Sequence, residues 1–384
     1  MQYRFFVNDR PAETIALRHV ERDGQAARLS LPFRLYYRLL RPLLPLWIRQ
    51  RLQSSRRAAP GDTWYLPDEF LRDFVQSIPT PEAGLPVIHP WPHGARSAFV
   101  LTHDVETAEG LRNAMRLADV EEELGFRSSF NLVPYKYDID PGFVRELDAR
   151  GFEIGIHGYN HDGRLYLSSS TFERRVPAIN AALQEYGAVG FRSPMVHRNL
   201  QWLQLLDIEY DSSCFDVDPF QAMPGGVGSI WPFMAGQFVE LPYTLPQDHT
   251  LFIVLGERDG RVWEHKLRYV SRHGGMALML THPDYLISPR HLAIYRDFLA
   301  RANEQRECWH ALPKAIANWW KHRDSSRLEW SSSDGWTIAG PAAKRGVPAI
   351  VGAQDNVLSI ARMSTTDLLV PSHIFRAIPA HPEA

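Results

Sequence analysis

Short apolar runs alternate with amphipathic stretches through most of the chain. The runs at 98–102, 128–133, 153–156, 190–192, 208–213, 238–241 and 276–281 are of strand length, so each reads as a largely buried strand. Between them, 107–124, 141–150, 170–186, 200–206, 262–272 and 289–307 repeat apolar residues at three- and four-residue spacing, as helices that bury one face do. Strands separated by helices imply a parallel sheet with right-handed crossovers. About seven such units suggest a closed or nearly closed barrel, with its site at the C-terminal ends of the strands. An open doubly wound sheet is the alternative.

The flanks have a different texture. From 58 to 93 the prolines Pro60, Pro67, Pro79, Pro81, Pro86, Pro90 and Pro92 mark loop and linker around one short helix near 68–76. Beyond Arg323 the chain turns rich in Ser, Gly, Ala and Pro, which reads as a small β-like appendage around 329–351 and a tail. The chain therefore divides into an Arg-rich arm and linker at 1–95, a barrel at 96–322 and an appendage at 323–384.

Composition narrows the classes. Of 384 residues, 42 are Lys or Arg and 44 Asp or Glu, and the net charge of -2 offers no excess of cations for a nucleic-acid partner. A hydrophobic share of 45% supports a core and excludes global disorder. Cys214 and Cys308 are too few for a disulfide framework or a thiolate metal site, and read as two buried thiols. The first ten residues lack an apolar secretory core, and no apolar run nears the roughly 20 residues of a membrane span, so the expected location is the cytoplasm.

Charge is uneven, however. No acid falls between Asp23 and Asp62, where Arg34, Arg38, Arg41, Arg49, Arg51, Arg56 and Arg57 interleave with aromatic and aliphatic residues. Segment 33–57 is read either as a peripheral contact with the inner membrane face or as a helix packed on the barrel with solvated arginines.

The chemistry gathers at strand ends. The run at 98–102 leads into His103-Asp104-Val105-Glu106, and 153–156 into His157-Gly158-Tyr159-Asn160-His161. Gly190-Phe191 leads into Arg192-Ser193-Pro194, Ile208-Glu209-Tyr210 into Asp211-Ser212-Ser213, and Met276–Leu280 into Thr281-His282-Pro283-Asp284. In a barrel these ends share one rim. His157 and His161, four apart, can aim both imidazoles at one point from a single helical turn. Asp104 and Glu106, two apart in extended chain, face the same side. One of these acids would complete a metal site and the other would stay free as a base; helix caps or surface acids are the plainer reading.

In order and spacing, Thr102-His103-Asp104-Val105-Glu106, the His157/His161 pair, Arg192-Ser193-Pro194, Asp211 and Leu280-Thr281-His282 resemble the polysaccharide deacetylases of the NodB-homology type, carbohydrate esterase family 4. That resemblance covers about 97–307 and implies a distorted (β/α) barrel with a divalent metal, zinc in first place. It implies a metal held by Glu106, His157 and His161, with Asp104 as base. Arg192 would orient Asp104, the Met195 N–H would face the oxyanion, and His282 would be the acid, supported by Asp211. Two departures stand out: the family's first motif ends Asp-Asp where this chain reads Asp104-Val105-Glu106, and Met195 stands where tyrosine is frequent.

The resemblance thus implies a metal-dependent hydrolase that removes an acetyl group from an acetylated saccharide. With a cytoplasmic location, the expected substrate is a glycan precursor, lipid-linked if segment 33–57 docks on a membrane. An amidohydrolase of small cyclic or linear amides is a second reading. A non-catalytic glycan- or membrane-binding barrel is a third. Oligomeric state is not legible in the sequence.

Overall fold

Seven parallel strands form the heart of the computed structural model, which describes residues 85–221, 226–354 and 357–363 with short pieces at 3–4, 35–40, 44, 48 and 51. The elements begin with β1 (Tyr3–Arg4), β2 (Leu85–Ile88), β3 (Ser97–Val105), α1 (Ala108–Glu123), β4 (Ser128–Leu132), α2 (Pro141–Ala149), β5 (Glu153–His157) and α3 (Ser169–Glu185). There follow β6 (Gly190–Arg192), β7 (Tyr210–Asp211), β8 (Phe233–Ala235), β9 (Phe238–Glu240), α4 (Arg261–Arg272), β10 (Met276–Thr281), α5 (Pro289–Asn303), β11 (Cys308–His310) and α6 (Pro313–Asp324). The appendage holds β12 (Arg327–Ser331), β13 (Gly335–Ala339), β14 (Pro348–Gln354) and β15 (Val357–Arg362).

The sheet runs β10-β3-β4-β5-β6-β7-β9 in parallel and continues through antiparallel β8 and β1. Beyond β9 the chain returns to the far side, where the Thr244 and Leu245 N–H groups both donate to the Leu278 carbonyl on β10. The result is a distorted (β/α) barrel, as the alternation of runs and amphipathic stretches implies, and not an open doubly wound sheet. β6 and β10 begin and end where the apolar runs do. The stretch at 200–206 is a shorter 3-10 turn, Trp202–Leu205. Among the elements that escaped the pattern are β8 and β11, which are three residues long, β2, which falls in the stretch read as linker, and α6, whose Trp319 and Trp320 are both buried.

β3, bonded to β10, β4 and β11, is buried along its whole length. Its alternate residues face two surroundings. Phe99, Leu101 and Val105 pack in the main apolar core, where each such side chain contributes roughly 1.5–3 kcal/mol. His103 faces the same way and is held there: its Nδ1 meets the Thr281 hydroxyl at 2.7 Å and its Nε2 meets Glu121 of α1 at 2.6 Å. The Tyr295 hydroxyl of α5 donates to the same Glu121 oxygen at 2.5 Å. His103, beside the candidate base in sequence, is therefore a link between strand and helices.

In the flanks, β2 pairs with β14, which pairs with β15. Pro86 sits within β2, an edge strand, where a missing N–H costs no ladder bond. The Trp319 indole donates to the Pro90 carbonyl at 2.6 Å and Arg323 Nε to the Ile88 carbonyl at 3.1 Å, fastening this sheet to α6. The short helix expected near 68–76 lies outside the described residues. Of segment 33–57, a helical turn at Tyr36–Leu40 is described, with Leu35, Leu39 and Leu40 exposed. Among the described residues no helix is long and apolar enough to cross a membrane. Cys214 is buried and Cys308 half-buried, both unbridged.

Glu121→Ala leaves His103 Nε2 and the Tyr295 hydroxyl without their buried partner, and should cost about 2–4 kcal/mol of stability in urea unfolding. An unchanged midpoint would show that the network adds nothing to the barrel.

Candidate active site

The inward face of β3 starts the site. Thr102 and Asp104 share this face, opposite His103, and Glu106 follows one residue beyond the strand. Asp104 is buried, and its Oδ1 accepts from the Asn131 amide at 2.8 Å and from Arg192 at 3.2 Å. Arg192, at the end of β6, is fully buried and also donates to the Thr102 hydroxyl at 2.9 Å and the Ser212 carbonyl at 2.8 Å. Burial alone would raise the Asp104 carboxyl. The charges of His157, Arg192 and His282 and the Asn131 amide overcome it and hold the acid below its usual range.

Glu106, His157 and His161 offer ligand atoms that lie within 4.8 Å of one another. His157 ends β5, and its Nδ1 must donate to the Arg192 carbonyl at 3.1 Å, since a carbonyl only accepts. That leaves the lone pair on Nε2, which is buried, has no hydrogen-bond partner and lies 3.9 Å from Glu106 Oε1. His161 Nε2 meets the same Glu106 oxygen at 2.8 Å. Burial, opposed by Asp104, lowers His157 to about 4, so its imidazole is neutral as a ligand must be. Glu106 is held well below the usual carboxylate range, because the three histidines around it outweigh its burial.

The pair does not ride on a helical turn, as its spacing suggested. His157 closes a strand, and the chain then bends through left-handed residues Gly158 (φ 70°) and His161 (φ 57°). Gly158 is required there twice over, since a Cβ on it would sit 2.2 Å from Pro194 Cγ. The histidine loop thereby lies directly on the Pro194–Val196 turn, in which Met195 adopts φ 59° and is half-buried.

His282, just past β10, joins this group, its Nε2 3.9 Å from Glu106 Oε1. Its partner is Asp248 and not Asp211. Asp248 accepts from the His282 ring Nδ1 and from its backbone N–H, both at 2.7 Å. Burial would lower the imidazole, but Asp248 reverses the effect and lifts it to about 10. Asp211 is spent elsewhere: it accepts from the Ser213 hydroxyl at 2.7 Å and backbone at 3.1 Å and is hydrogen-bonded to buried Glu240. Burial and the neighbouring Asp211 push Glu240 well up, so this pair keeps a proton. Asp216, five residues beyond Asp211, is buried against Lys266 at 2.6 Å.

Sequence reasoning therefore missed Asn131 and Asp248. Asn131 had a signal, because Ser129 and Asn131 alternate with Phe130 and Leu132 and so belong to the polar inward face. Asp248 had none, since it follows Leu245-Pro246-Gln247 in a stretch without period.

No family model matches the sequence, and no curated protein matches it. Among solved structures, one from Mycobacterium smegmatis described as a polysaccharide deacetylase is similar with a TM-score of 0.50 and 23% identity, over 62% of this chain and 93% of its own. The fold is the polysaccharide-deacetylase barrel. A second structure so described, from Pseudomonas aeruginosa, is similar with a TM-score of 0.46 and 20% identity, over 62% of this chain and 95% of its own. The two-histidine, one-carboxylate donor set suits zinc and similar divalent ions, and His157 Nε2, buried with no hydrogen-bond partner, is available as a ligand.

His282 binds its proton more tightly folded than unfolded, so its pair with Asp248 contributes stability in full below pH 6.5 and loses it as pH rises towards 10. In metal-free protein, ring-nitrogen NMR should find His282 charged at pH 8, and Asp248→Asn should lower its titration by at least about one unit. An unmoved titration would remove Asp248 from this role.

Proposed function

We propose that this protein is a metal-dependent deacetylase that hydrolyses an acetyl group from an acetylated saccharide. The observation that carries the reading is the convergence of Glu106, His157 and His161 beside a separate, fixed carboxylate, Asp104. A divalent cation held by those three side chains supplies Lewis-acid polarisation of the acetyl carbonyl and acidifies water. Asp104 takes the proton from the attacking water, and Arg192 with Asn131 keeps its carboxylate ionised and aimed. The Met195 N–H is assigned to the developing oxyanion, where a fixed backbone donor stabilises the transition state more than the ground state. His282, held charged by Asp248, gives its proton to the departing amine or hydroxyl as the carbon–nitrogen or carbon–oxygen bond breaks.

This assignment separates the base from the acid by environment: the acid is a histidine locked to a buried aspartate, the base a carboxylate locked to an arginine. Exposed Leu35, Leu39 and Leu40, within the Arg-rich segment, support a substrate presented at a membrane surface.

Two measurements test the reading. Purified protein stripped with chelator should bind zinc in calorimetry, and His157→Ala should abolish that binding; wild-type protein that takes no divalent ion overturns the proposal. Zinc-loaded protein should release acetate from N-acetylated sugar oligomers in preference to small cyclic or linear amides. Asp104→Asn should keep the metal and lose about 10²–10⁴-fold in kcat. Activity retained by that variant removes Asp104 as base.

A further inference from the structure

We propose that Asp284 is a positioning residue that, together with Tyr137, clamps the peptide unit between Val105 and Glu106 and so fixes the ligand carboxylate. The inference rests on Glu106 being a metal ligand. Glu106 lies beyond the last ladder residue of β3, and its side chain is longer than an aspartate, with more torsions to hold. A ligand in that place needs its backbone held by something other than the sheet.

Both ends of that one peptide unit are held. The Tyr137 hydroxyl donates to the Val105 carbonyl at 2.5 Å, and the Glu106 N–H donates to Asp284 Oδ2 at 3.3 Å. Tyr137 is itself held by the Val133 N–H, which donates to its hydroxyl at 3.1 Å. The other Asp284 oxygen accepts from the Thr107 hydroxyl, which in turn accepts from the Gly110 N–H at 3.0 Å and caps α1. Asp284 also belongs to the turn after β10 in which the Tyr285 and Leu286 N–H groups donate to the His282 carbonyl. One carboxylate therefore ties the loop of the metal ligand to the loop of the acid.

Gly110 records the same demand from the opposite side. A Cβ at Gly110 would lie 2.4 Å from Asp284 Oδ2, so the carboxylate occupies the space that any larger residue would need. Alanine is otherwise favoured inside a helix, which gives Gly110→Ala a distinctive meaning: it displaces Asp284 without removing it.

The test measures zinc affinity by competition with a chromophoric chelator, and amide hydrogen exchange at Glu106 in metal-free protein, for wild type, Asp284→Ala, Asp284→Asn and Gly110→Ala. Asp284→Ala and Gly110→Ala should each weaken zinc binding about 10- to 100-fold and speed exchange at Glu106. Asp284→Asn, which keeps an oxygen acceptor, should recover most of both. Zinc affinity in the alanine variants equal to wild type, or unchanged exchange at Glu106, overturns the proposal. Wild-type protein that binds no zinc would overturn the deacetylase reading instead, while exchange at Glu106 would still decide whether Asp284 holds that peptide.

Discussion

The alternation of β3 is the constraint on which the rest depends. In a strand buried on both faces, with β10 and β4 bonded to it, consecutive residues must serve opposite environments. Thr102 and Asp104 turn inward, to Arg192 and Asn131. His103 turns outward, to Glu121 and Thr281. A slip of one residue would exchange these sets, placing a carboxylate among the helices and a paired imidazole in the site. Registers of six pairs with β10 and five with β4 hold the strand against that slip.

The inward side concentrates charge where water is scarce. Asp104, His157, Arg192, Asp248 and His282 are all buried. Such groups are costly singly and tolerable only as a network in which each has its partner. Asp104 is matched by Arg192, and His282 by Asp248. His157 spends Nδ1 on a carbonyl and keeps Nε2 without a partner. The same network that makes the barrel interior tolerable thus leaves this nitrogen free to act as a ligand. The Asp211–Glu240 pair is a separate solution, two acids that share a proton and support the Ser213 hydroxyl, which accepts from the Ser193 N–H at 2.8 Å.

Legibility followed distance along the chain. The strands and helices of the barrel were readable because burial imposes its period on neighbours, and the run 276–281 is β10 residue for residue. Glu106, His157, His161, Arg192 and His282 stood out because each ends or follows a strand at the barrel's C-terminal rim. Contacts across many residues were not readable. Asp248 reaches His282 over 34 residues from a segment with no period, and Asp284 reaches Glu106 over 178. Asp211, well placed in the sequence, was drawn away by Ser213 and Glu240, close partners that a strand-end rule cannot see.

The sequence by itself determined the alternation of strands and helices, the polar strand ends and so the kind of chemistry on offer, because those depend on residue type and local period. Only the tertiary structure decided which acid serves which imidazole, how the His157–His161 loop bends and what holds Glu106. Those depend on which side chain is brought within reach of a buried donor, and that is set by packing between segments that the local pattern treats as independent.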